Sequence, residues 1–122
     1  MKHKKSDNFE TKSVSSSLVR FAIDFKPEFV PDEVKQIAQL SLFDWFVVSL
    51  AGQTEPVSNI IRGQIKSDGG AEDCTVIGTT QRFPARASAL ANGTTSHALD
   101  YDDTHFAYLG HPSVAIIPAA IA

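Results

Sequence analysis

From Leu40 to Ala51 the chain is apolar on nearly every face of a helix: Leu42, Phe43, Trp45, Phe46, Val47, Val48 and Leu50 leave no polar stripe. A helix of that kind in a soluble protein has to be enclosed by other protein. The run is about half the length of a membrane span and contains Asp44, so a bilayer helix is not expected. A 122-residue chain can hardly surround this helix and cover its remaining elements too. Missing chain or a partner subunit is therefore expected to complete its burial.

The flanking pattern is helical almost throughout. Residues 1–13 are polar and are expected to form a disordered leader; Lys2, Lys4 and Lys5 are not followed by an apolar run, so secretion is not indicated and a cytoplasmic location is expected. Leu18, Val19, Ala22, Ile23 and Phe25 predict a short amphipathic helix from the Ser15–Ser17 region to Pro27. Pro31, Asp32 and Glu33 then start the long helix, which runs to Gly52. Val57, Ile60, Ile61 and Ile65 predict a third helix, stopped by Asp68-Gly69-Gly70.

Thr75, Val76 and Ile77 predict a brief extended segment with no obvious strand partner. From Pro84 the residues Ala85, Ala87, Ala89, Leu90 and Ala91 predict a helix of small side chains that lets another helix backbone come close. Pro112 opens a last apolar segment that is still apolar at Ala122, and the expectation is a chain interrupted inside a helix. The expected fold class is all-α, with at most a very short extended segment near 74–77.

Net charge is −3 and there is no basic stripe, so nucleic acid is not an expected partner. A lone Cys74 excludes an intrachain disulfide and is expected to be a small core hydrophobe.

Against this apolar background His97–Ser113 places three His, three Asp and a Thr within seventeen positions. Buried charges need partners, because an unpaired one costs several kcal/mol or neutralises. Continuing the helix through this stretch would put His97, Asp100 and Thr104 on one face. Asp102 and Asp103 would sit at a helix C-terminus, against the dipole, a mildly unfavourable placement that suggests another purpose or a compensating partner. Pro112 would restart a helix whose Ser113 and Val114 amides are open to a substrate anion.

Two blander readings compete. Asp102, Asp103 and Thr104 could simply cap and solvate a loop, and His97 could be an ordinary satisfied histidine. The ligand types of His97, Asp100, Asp103 and His111 also suit a metal, but no familiar ligand spacing is met, and no metal is expected.

Ala89-Leu90-Ala91-Asn92-Gly93, His97-x2-Asp100-x-Asp102-Asp103-Thr104 and Gly110-His111-Pro112-Ser113 together resemble the MmgE/PrpD family, which includes 2-methylcitrate dehydratase, cis-aconitate decarboxylase and iminodisuccinate epimerase. The likeness extends to residues 42–52 and 75–78 and covers about residues 15–122. It implies that residues 14–122 are the amino-terminal part of a larger helical domain, in a homodimer when full-length. By motif it implies that Asp100, Thr104 and His111 surround a small polycarboxylate. The spacer between Thr104 and His111 is one residue longer than in the decarboxylase branch.

Dehydration, decarboxylation and epimerisation of such substrates all move a proton at a carbon beside a carboxylate. The expected roles are His111 in proton transfer, Asp100 orienting an imidazole, and Thr104, Ser113 and His97 binding substrate, without metal or organic cofactor. A 2-methylcitrate dehydratase-like lyase is the leading expectation. A decarboxylase- or epimerase-like enzyme is the alternative, and a non-catalytic truncated fragment is the rival from another class.

Overall fold

The computed structural model describes residues 13–107 and 109–122. Among them are five α-helices and one small hairpin: α1 (Val14–Asp24), α2 (Asp32–Gly52), α3 (Pro56–Asp68), β1 (Cys74–Thr75), β2 (Arg82–Phe83), α4 (Ala85–Ser96) and α5 (Pro112–Ile121), with a 3-10 turn at Pro27–Phe29. The all-α expectation holds. Apart from Ser13, the polar leader expected over residues 1–13 lies outside the described residues.

The chain divides at Asp32/Glu33 into two units. In the first, Ser13 caps α1 by accepting the Ser16 amide on its hydroxyl at 3.2 Å, so this helix begins slightly earlier than its apolar spacing predicts.

In the second unit α2 buries only a narrow stripe of Trp45, Val48, Ser49 and Gly52. Leu40 and Phe43 are each 67% exposed, so the described residues do not supply the enclosure that the sequence demands. The buried stripe leads to Gly52, whose missing side chain lets α2 abut the Thr95 carbonyl at the end of α4; a Cβ there would collide. Ser58 of α3 donates its hydroxyl to the Gly52 carbonyl at 2.8 Å and ties the two helices at their junction. Gly69 ends α3 with φ of 67°, a conformation open to glycine at little cost.

The extended segment has a strand partner after all. β1 pairs antiparallel with β2 in the register Cys74↔Phe83 and Thr75↔Arg82, because Gly78 at φ 81° allows the chain to reverse. Cys74 is half-buried in β1. Behind the hairpin, Ile65, Val76, Phe83 and Ala91 form the apolar core, with Ile61 and Ala87 packed on it.

The small-residue helix α4 is the hub. Its Asn92 accepts the Ile77 amide at 2.9 Å and donates to the Thr75 carbonyl at 3.0 Å, stapling the extended segment in place. On its other side Gly93 faces α5. Pro118 has no amide to give the Val114 carbonyl one turn back, and a Cβ on Gly93 would come within 3.1 Å of that carbonyl. The close backbone approach expected of α4 is thus made to α5 at Gly93 and to α2 at Thr95.

Candidate active site

α4 ends at Ser96, and His97 is its C-cap, with its amide bonded to the Gly93 carbonyl at 3.2 Å. The helix does not run on to Thr104. Asp100 has φ of 55°, in the left-handed region that short polar side chains tolerate but an α-helix cannot continue through. The chain therefore doubles back, and His97, Asp100 and Thr104 do not share a helical face.

Doubling back brings Asp102 beneath His97. The Asp102 side chain is fully buried, and its Oδ1 lies 2.8 Å from His97 Nδ1 and 3.5 Å from His111 Nδ1. Its own backbone carbonyl lies 3.2 Å from the same His111 nitrogen. At the opposite edges of both rings, the exposed Asp100 has Oδ1 3.7 Å from His97 Nε2 and 3.6 Å from His111 Nε2. The two imidazoles meet edge-on, with centroids 4.8 Å apart.

His111 is carried to this position by the start of α5, where it is the N-cap and Pro112 occupies the first turn. The preceding loop is closed by the His105 amide donating to the Gly110 carbonyl at 2.9 Å and the Leu109 amide to the His105 carbonyl at 2.8 Å. Leu109 is at φ 54°, an uncommon conformation for a branched apolar residue, and it completes the reversal into Gly110-His111.

The helix N-terminus expected to hold a substrate anion holds one from this chain. Asp103 accepts the Ser113 amide on Oδ1 at 3.2 Å and the Ser113 hydroxyl on Oδ2 at 2.6 Å. A carboxylate here complements the free amides and the helix dipole. The Ser113 amide is thus already engaged, which corrects the expectation of an open donor. Thr104 is exposed, beyond Asp103 on the loop, and takes no part in these hydrogen bonds.

Of the expected site residues, then, the fold brings His97, Asp100 and His111 together, and sets Ser113 beside them through Asp103. Asp102 is the residue that sequence reasoning passed over as loop polarity. The signal that could have found it is the cost of burying a carboxylate among apolar residues without a partner, and the histidines on either side in sequence supply that partner. His97, Asp100, Asp102 and His111 each offer one ligating atom, and these atoms lie within 4.8 Å of one another, so a cation would find its donors here. Asp103, counted among possible ligands from sequence, is committed to Ser113 instead. Arg82, one of the cations nearest in sequence, donates to the Asp73 carbonyl on the hairpin rather than to this cluster.

Residues 16–122 match the MmgE/PrpD N-terminal domain, and the chain belongs to the MmgE/PrpD family. Among curated proteins it is similar to the cis-aconitate decarboxylase-like protein oryM of Aspergillus oryzae, with 30% identity over 110 residues. That alignment covers 90% of this chain but 23% of the relative, so the chain spans about a quarter of the length of the protein it matches. No solved structure is a significant match. Among the described residues no helix is long and apolar enough to cross a membrane.

Proposed function

We propose that this chain contributes the His97–Asp100–Asp102–His111 part of the active site of a lyase acting on a small polycarboxylate, by proton transfer at a carbon beside a carboxylate. The observation that carries this reading is the convergence of two imidazoles and two carboxylates within 4.8 Å in a chain of this family. A carbon acid of this kind needs a base within hydrogen-bond reach and a partner for the developing negative charge. His111 is the base, 25% exposed at its side chain and so reachable yet held. Thr104, exposed on the adjoining loop, is the substrate hydrogen-bond donor, and His97 is a second contact. Ser113 acts on the site by holding Asp103.

The first reading of the reaction, from family resemblance, is 2-methylcitrate dehydration. The name of the Aspergillus oryzae relative favours decarboxylation of a cis-aconitate-like substrate, and this becomes the second reading. Assaying the whole protein with 2-methylcitrate, cis-aconitate and iminodisuccinate separates them: loss of water, release of CO2 and inversion of a stereocentre are distinct signals. Turnover of none of the three removes the polycarboxylate lyase reading.

The chemistry proposed runs without metal or organic cofactor in a homodimeric cytoplasmic enzyme. Light scattering on the whole protein tests the dimer. A second copy would also cover apolar residues of α2 such as Leu40 and Phe43.

A further inference from the structure

Asp102 faces both histidines through the same ring position. A backbone carbonyl can only accept a hydrogen bond, so the contact between Asp102 O and His111 Nδ1 at 3.2 Å requires the proton to sit on Nδ1. An ionised carboxylate likewise only accepts, which puts a proton on His97 Nδ1 at 2.8 Å from Asp102 Oδ1. Asp102 Oδ2 is buried and has no hydrogen-bond partner among the described residues. The hydrogen bonding of this carboxylate therefore runs through Oδ1 to imidazole. A fully buried carboxylate is costly unless its charge is met, and here the His97 N–H meets it at Oδ1 while the His111 N–H is given to the Asp102 carbonyl.

From this geometry we infer that Asp102, not Asp100, is the positioning residue of the site: it fixes His97 and His111 together as Nδ1–H tautomers and so turns two bare Nε2 atoms to the same side. Both Nε2 atoms then converge on the neighbourhood of Asp100 Oδ1, at 3.7 and 3.6 Å, beyond hydrogen-bond length. Their lone pairs stay available to a proton of the substrate, and the site presents a pair of bases instead of one. Asp100, 79% exposed, lies on the solvent side of the rings, while the fully buried Asp102 side chain stands behind them. The buried carbonyl and carboxylate of one residue serve both histidines, so neither ring can flip without breaking a bond to Asp102.

This role rests on the reading of His111 as the proton-transfer group, but it is tested without turnover. Long-range 1H–15N spectra of the histidine side chains in the whole protein, recorded at alkaline pH where ordinary imidazoles are neutral and assigned with the His97→Gln and His111→Gln variants, report the tautomer directly. The expected wild-type result is Nδ1–H for both. An Nε2–H tautomer for either residue overturns the inference, whatever any variant does.

Asp102→Asn keeps the shape but replaces one acceptor with an amide donor. The expected result is a shift of His97 towards Nε2–H, while His111 keeps the unchanged backbone carbonyl as its acceptor. In activity, kcat should fall by about 10³-fold with KM nearly unchanged, of the order that a catalytic imidazole loses with its orienting carboxylate. Unchanged tautomers in a folded Asp102→Asn protein overturn the inference. Wild-type turnover in His111→Ala, alongside Nδ1–H tautomers and the His97 shift in Asp102→Asn, removes His111 as the proton-transfer group and leaves the positioning role standing.

Discussion

The α4–hairpin junction and the loop from His97 to Ser113 both bury polar side chains, and they treat them differently. At the junction Asn92 uses its carbonyl and its amide on the Ile77 and Thr75 backbone, and Ser88 donates to the Cys74 and Phe83 carbonyls at 3.3 and 3.2 Å. In the loop Asp102 Oδ2 has no hydrogen-bond partner among the described residues, and Asp100 and Leu109 hold left-handed backbone. Among the described residues the left-handed backbone of non-glycine residues falls only at the candidate site, whereas unpartnered buried polar atoms also occur in the helices, at Trp45, Arg62 and Thr95. Asp102 and Asp103 draw a line between adjacent residues, since Asp103 spends both oxygens capping α5 and Asp102 directs one oxygen at two imidazoles.

The contrast can be broken by experiment. The largest effect is expected from His111→Ala in the whole protein, where turnover should fall by about 10²- to 10⁴-fold with the melting temperature within a few degrees of wild type. A matching collapse in stability would make His111 a structural residue like Asn92. Next comes Asn92→Leu, which orphans the Ile77 amide and the Thr75 carbonyl. Denaturant unfolding should show a loss of about 2–4 kcal/mol, with the histidine spectra of the site little changed; a loss below about 0.5 kcal/mol would mean that water replaces the staple.

Asp103→Ala should cost about 1 kcal/mol, the usual worth of a helix N-terminal cap, and should reduce turnover less than Asp102→Asn does. If it abolishes turnover instead, Ser113 and the α5 terminus belong to the chemistry and the line between the two aspartates moves. The smallest expected effect is that of EDTA, which should leave both activity and melting temperature unchanged. A fall in either would turn the His97–Asp100–Asp102–His111 cluster into a metal centre.

Much of the helix layout was legible because it depends on local periodicity and punctuation. Proline starts, the Gly69 stop and the 3.6-residue apolar spacing act over a few residues, and α3, α4 and α5 lie where those signals put them. The exception is the end of α4: nothing local in Asp100 forbids helix, since its left-handed turn is fixed by the contacts that the doubled-back loop makes. The strand partner of β1 was hidden for a related reason, because two residues on each side carry no periodicity and their register is set by packing on α4.

By itself the sequence determined an all-α chain, its family and the stretch that holds the candidate site, since composition, spacing and motif are properties of neighbours along the chain. Only the tertiary structure decided which aspartate meets the histidines and which caps α5. Asp102 and Asp103 are chemically identical and adjacent, and what divides them is the direction each side chain takes once a left-handed turn at Asp100 and the Gly93–Val114 approach have fixed α4 against α5.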